Sequence, residues 1–148
     1  MQDYSEIQNA FLDGFEDIFT IMFTDRLELQ LLDEESTEKN IYDEAPSKVY
    51  LPPIQLVGRI RIDVDECLET VEGEQRDAVI TIPAKQLITK NIPHGTSDDL
   101  DRLRRAKFVY DGFEYLVEFI KPKTLIADKW QLYEFDCHGI KKSSLRGV

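Results

Sequence analysis

Four side chains in this sequence are of types that bind zinc or serve as nucleophile and base: Cys67, His94, Cys137 and His138. A zinc ion needs its ligands gathered around one point. Cys137 and His138 are adjacent in an alternating, strand-like run, so they point to opposite faces and do not easily share an ion. These are the only two histidines in the chain, and neither stands in a recognisable pattern with a nucleophile. Carboxylates cluster in Asp63-Val64-Asp65-Glu66. Paired carboxylates can hold a metal or divide acid and base roles, but Asp63 and Asp65 fall on the exposed face of a strand, where they ordinarily do neither. No GxGxxG, Walker loop, GxSxG or HExxH occurs. The expectation is a protein that is not an enzyme, with no catalytic residues, metal or cofactor.

Two cysteines in 148 residues do not make a disulfide framework and read as free thiols or small buried hydrophobes. The opening Met-Gln-Asp-Tyr-Ser-Glu lacks the basic stretch and apolar core of a signal peptide. No apolar run is long enough to span a bilayer. These features lead us to expect a product of the cytoplasm with no membrane partner.

Charge is unevenly placed. Residues 1–46 hold 13 acids and two bases, whereas the remainder holds 16 of each, so the net charge of −11 sits wholly in the first third. Such a segment repels phosphate and argues against sequence reading of nucleic acid. It suits a solvated acidic face, and equally a contact surface or a channel lining past which DNA slides.

The elements follow from periodicity. With 42% hydrophobic and 32% charged residues over 148 positions, the chain is long enough for one domain with a real core. Residues 5–17 read as a short amphipathic helix. Ser5 and Gln8 fit a capping box, and Ile7, Phe11, Phe15 and Ile18 share a stripe. From Ile18 to Leu32 the period shortens towards two, which predicts extended structure, with a longer helix through Phe23 as the alternative. Leu27, Leu29 and Leu31 alternate there with Arg26, Glu28 and Gln30. Residues 33–48 are polar, an acidic arm or loop. A β-rich core is expected over 49–140 and a basic tail over 141–148.

Within that core, Pro52-Pro53 precedes a strand in which Ile60, Ile62 and Val64 alternate with charged residues. Residues 68–76 form a polar excursion centred on Gly73, and Ala78, Ile80 and Ile82 resume the alternation up to Pro83. Ser97 reads as the cap of a helix over 98–105, with Asp98 and Asp99 in its first turn and arginines in its last. Tyr110-Asp111-Gly112-Phe113 calls for a type I′ hairpin, which sets Tyr110 opposite Phe113 and Phe108 opposite Tyr115. Pro122 ends the second strand of that hairpin. A last strand spans Trp130 to Ile140, with Tyr133, Phe135 and Cys137 on one face. The fold class expected is mainly β: a small β-barrel-like domain with a short N-terminal helix, one additional short helix and long loops.

Taken in order, the segments between about residue 41 and residue 140 resemble the head-closure (head–tail joining) proteins of tailed bacteriophages. The matching run is Ile41-Tyr42-Asp43-Glu44-Ala45, Lys48-Val49-Tyr50, Pro53-Ile54-Gln55-Leu56, the strand Val57–Asp65 and the loop at Gly73. It continues through Ile80-Thr81-Ile82-Pro83, Leu87, Asn91-Ile92-Pro93, the hairpin Tyr110–Tyr115, Val117, Ile120-Lys121-Pro122 and Gln131–Phe135. The segment 94–105 departs from the family, which has a short turn there. The likeness is one of fold.

The resemblance implies a neck protein of the virion. Copies of the chain would form a ring, with the portal or adaptor protein on the head side, a tail protein on the other, and packaged DNA passing through without sequence-specific binding. It also implies lumen or neighbour contacts, which by position fall on Glu69, Glu72, Gly73, Glu74 and Gln75. Contacts to subunits or partners fall on Phe11, Phe15, Phe19, Glu34, Glu35 and Glu38. The aromatic stripe of the first helix has a second reading, as a plug closing one end of the barrel. A tail-completion or terminator protein is the alternative within the same class. An acidic soluble binding or inhibitor module, using its first third to mimic nucleic acid, is the alternative outside it.

Overall fold

Alternating apolar residues recur along this chain at the spacing of half-buried strands, and the structure, a computed structural model, pairs them into seven strands with three helices among the described residues. These residues are 4–34, 48–63, 68–70 and 73–142. Helix α1 spans Tyr4–Met22, and β1 (Asp25–Gln30) follows it. Next come β2 (Ile54–Ile62), β3 (Leu68–Thr70) and β4 (Gly73–Pro83). Helices α2 (Ala84–Thr89) and α3 (Ser97–Arg104) lead to β5 (Lys107–Tyr110), β6 (Phe113–Ile126) and β7 (Lys129–Lys142).

All pairings are antiparallel. The order β2-β1-β5-β6-β7-β4 returns to β2, because Arg59 through Ile62 pair with Thr81 through Ala78. Six strands thus form a closed barrel, and β3 continues along the same edge of β4 where β2 leaves it. Closure removes most of the unpaired backbone that an open sheet would expose.

Inward-facing positions fill this barrel with large side chains. Leu27, Leu29, Leu56, Ile80, Ile82, Phe108, Phe113, Tyr115 and Phe135 are almost wholly buried. Phe108 and Phe135 meet edge to face with ring centres 5.0 Å apart. Burying each such side chain is worth about 1.5–3 kcal/mol. Two glycines admit their neighbours: a Cβ at Gly58 would collide with the Thr81 carbonyl, and one at Gly139 would overlap the Tyr115 ring.

The barrel-like class, the leucine alternation of β1 and the inward face of β7 are as the sequence predicts. The Asp-Gly hairpin is too: Asp111 and Gly112 have φ of 52° and 79°, and Tyr110 pairs with Phe113 and Phe108 with Tyr115. Several local expectations are corrected. Helix α1 runs five residues beyond the predicted 5–17, because Ile18, Ile21 and Met22 continue the 3.6-residue stripe as well as they fit alternation. It begins ahead of Ser5, and the side chains of Ser5 and Gln8 lie outside the described part.

Phe11 and Phe19 of the α1 aromatic stripe do not plug the barrel, since Phe11 is exposed and Phe19 is half-buried against Phe23. Leu87, Ile92, Leu103 and Ala106, from α2, α3 and the segments after them, fill the core instead. Helix α2 is unforeseen. It starts at once after Pro83, whose φ of −63° suits a helix N-terminus, and Asn91 closes it with φ of 56°.

Helix α3 is capped by Thr96, not Ser97. The Thr96 hydroxyl accepts from the Asp99 N–H at 3.1 Å, and the Asp99 carboxylate accepts from the Thr96 N–H at 3.2 Å. Counted from Ser97, the returning position would be Leu100, which has no acceptor.

Residues 73–76 are strand, because β7 supplies a ladder partner for every residue of β4. Pro122 does not end β6, which runs on to Ile126. Beyond Leu116 this strand pairs with β7 alone among the described residues, so the missing N–H of Pro122 falls on a free edge. The turn to β7 uses Ala127 and Asp128, both with positive φ, and β7 accordingly begins at Lys129. The arm over 35–47, Val64 to Cys67, Val71, Glu72 and the tail over 143–148 lie outside the described residues.

Gly139→Ala should destabilise the fold by about 1–3 kcal/mol through overpacking against Tyr115. Gly14→Ala in α1 meets open space and should leave the barrel intact while raising helicity, by about 0.5–1 kcal/mol of helix stability. Denaturant unfolding and far-ultraviolet circular dichroism of the two variants check both.

Candidate functional site

Five of the exposed large apolar side chains among the described residues lie on helix α1. Ile7, Phe11, Ile18, Ile21 and Met22 share one stripe and are all exposed, Phe11 at 61% and Ile21 at 79%. Glu6, Asp13 and Asp17 make the helix acidic, and it contains no Lys or Arg. Among the described residues no strand or other helix packs along it. Its C-terminus is held: Phe23 is buried, its N–H donates to the Phe19 carbonyl at 2.8 Å, and the two rings stand 5.3 Å apart. Of the predicted contact residues, Phe11 is thus exposed and Phe19 half-buried against Phe23. The side chain of Phe15 lies outside the described part.

A second surface lies between α2, the start of α3 and the tip of the β6–β7 hairpin. This open groove, of roughly 710 Å³, has Tyr133 and Ala84 at its base and Ile88 and Trp130 exposed on its rim. Lys85, Lys129 and Asp128 are its charged residues. His94 stands edge-on to Tyr133 with ring centres 5.3 Å apart. Its Nδ1 is 2.8 Å from the Ile92 carbonyl; a carbonyl only accepts, so that nitrogen carries the proton. The volume is that of a small-ligand cleft, but the groove is wide open and offers no paired nucleophile and base.

The third grouping combines Asp77, Glu118 and His138, whose ligand-type atoms lie within 4.8 Å of one another. A β-bulge between Val117 and Phe119 turns Glu118 outward alongside the two others. Two carboxylates and an imidazole suit a divalent transition metal. His138 Nδ1 donates to Asp77 Oδ1 at 2.7 Å, and the cleft beside them is lined by Arg61 together with Asp63 and Asp136. Cys137 points the other way into the core, as alternation predicts. Cys67 lies outside the described residues.

The predicted lumen residues fall on the β3–β4 hairpin. Glu69 lies opposite Glu74, Leu68 opposite Gln75, and Gly73 starts β4 with φ of 136°. On its other side β4 faces β7, which brings Lys141 opposite Glu74 and Lys142 opposite Gly73. Across β3, β4 and β7 this row therefore reads Glu69, Glu74 and Lys141, two adjacent acids beside one base. Glu34 forms an ion pair with Arg105 at the end of α3, within the chain itself. Glu35, Glu38 and Glu72 lie outside the described residues.

One structural pivot near the hairpin Tyr110–Tyr115 escapes sequence reasoning. The Arg76 guanidinium lies 3.7 Å above the Phe113 ring centre, and its Nε–H donates to the Tyr115 hydroxyl at 2.7 Å. Gly139, opposite Arg76 on β7, makes room for the Tyr115 ring. The sequence signal was an arginine and a glycine at positions that ought to face inward.

Arg76→Lys should cost about 1–3 kcal/mol, because the lysine keeps the charge but neither stacks flat nor reaches the Tyr115 hydroxyl with fixed geometry; denaturant midpoints of the variant and of Tyr115→Phe test this. Alkaline stability follows from the buried acids. Burial, helped by Asp136 and Glu118, pushes the Cys137 thiol far above its ordinary 9.0. Burial likewise raises Tyr115, against the Arg76 hydrogen bond, and Tyr133. The folded state holds these protons more tightly than the unfolded one. The stability they confer is full below about pH 9 and is lost as pH rises further. Melting temperature should fall above that pH, less steeply in Cys137→Ala. A flat alkaline profile in the parent chain would contradict it.

No helix among the described residues is long and apolar enough to cross a membrane. No protein-family model matches the chain, and no curated protein matches it either.

Proposed function

We propose that this chain is a non-enzymatic structural subunit of a tailed-phage neck, assembling as a ring that closes the DNA-filled head and receives the tail. The observation that carries the reading is the pairing of a closed barrel with an amphipathic helix along which, among the described residues, no strand or other helix packs. A closed barrel is a rigid body with little edge to donate to neighbours, and an exposed apolar stripe of this size marks a surface that meets another protein. The ordered resemblance of residues 41–140 to head-closure proteins supplies the kind of assembly. Within that reading the portal or adaptor lies on the head side and a tail protein on the other. The net acidity of the chain suits a passage along which DNA moves without sticking.

Electron microscopy of particles made with the gene intact and disrupted tests the reading. Full heads that leak or lack tails without the protein, and an added ring below the portal with it, are expected. Finished virions without it would sink the proposal. Binding of the purified chain to portal complexes, rather than to tail-tube protein, separates head closure from tail completion.

A further inference from the structure

Helix α1 and the groove beside α2 are complementary, and they belong to the same chain. The helix has an apolar stripe from Ile7 to Met22, about 22 Å long at the rise of an α-helix. It is acidic and carries no base. Gly14 leaves a gap at the middle of the stripe, with nothing near it. The groove offers exposed Ile88 and Trp130 with Lys85 and Lys129. We infer that α1 of one subunit lies in this groove of the next copy.

Two features choose the occupant. Charge matches: an acidic helix meets a rim with two lysines and one aspartate. The fold also keeps α1 from its own groove. Only Phe23 and Thr24 separate the helix from β1, and Phe23 is buried with its N–H bonded back to Phe19. Swinging α1 inward would draw Phe23 out of its buried position, so the groove is filled from outside. Because the helix face and the groove are different surfaces, the contact is heterologous, and repeating it generates a ring if the rotation closes. The mode is that of an amphipathic helix laid in an apolar groove. This inference rests on the ring reading for its closure and number of copies, but the contact itself stands on the two surfaces.

The test mixes equal amounts of isotopically labelled and unlabelled full-length chain at high concentration. Carbodiimide then couples carboxylates to nearby lysines, and mass spectrometry reads the linked peptides. Links from Asp13 or Asp17 to Lys85 or Lys129 that join one labelled to one unlabelled peptide are expected. Phe11→Asp and Ile88→Asp, both at exposed positions, should each cut those mixed links by about tenfold, a change that corresponds to a tenfold weaker contact, while the barrel melts as before. Links only within a single label would mean that α1 folds onto its own groove, and absence of these links would mean that it docks elsewhere; either overturns the inference. Mixed links in a protein missing from phage particles would keep the interface and discard the neck. A neck ring with α1 on another surface would do the reverse.

Discussion

Four residue pairs between β2 and β4, from Arg59 opposite Thr81 to Ile62 opposite Ala78, turn an open sheet into a barrel. Every other feature depends on that seam. It is possible because Gly58, just before it on β2, has no side chain to strike the Thr81 carbonyl and Ile82. It is reinforced where the Asp25 carboxylate, on β1, accepts from the Ile60 N–H at 3.0 Å, tying the strand after α1 to the closing strand. With the seam made, the inward residues of six strands face one another across a single interior, and large side chains such as Phe108 and Phe135 fill it.

Closure also divides the surface into regions with different work to do. At one end α2 and the segments around α3 insert Leu87, Ile92, Leu103 and Ala106 into the core, and on their outer side they form the groove that receives a helix in the proposed assembly. Because the interior is already filled by these residues, α1 has no place inside and keeps its stripe outward. The Asp77–Glu118–His138 grouping lies on the barrel wall, with its imidazole proton committed to a carboxylate.

How much of this is legible in the residues depends on whether the deciding contact is local. The Asp111-Gly112 turn is readable because two adjacent residues meet the positive-φ requirement by themselves. The Ala127–Asp128 turn has the same backbone sign but no glycine, and long pairing on either side imposes it. The leucines of β1 are readable from alternation alone. The end of α1 is not, because Ile18, Phe19, Ile21 and Phe23 satisfy two periods at once and only the packing of Phe23 decides. The Thr96 cap turns on Asp99 three residues on, a rule that distinguishes Thr96 from Ser97 once both are tested. The groove joins residues as much as 49 positions apart, from Ala84 to Tyr133, and no local pattern announces it. Arg76 shows the same limit: its partners Phe113 and Tyr115 are defined by a sheet register that only the closed barrel fixes.

The outer half of β6 has a further consequence. Past Leu116 one side of this strand has no strand partner among the described residues, next to the exposed Phe119 and Leu125. A bare edge with apolar neighbours is how soluble chains come to stack into fibrils. Here the bulge at Glu118 bends the edge, Pro122 removes a donor from it, and Lys121 and Lys123 flank the proline with like charge. Pro122, which looks like the end of a strand in the sequence, therefore acts with the bulge and the two lysines against unwanted edge-to-edge pairing.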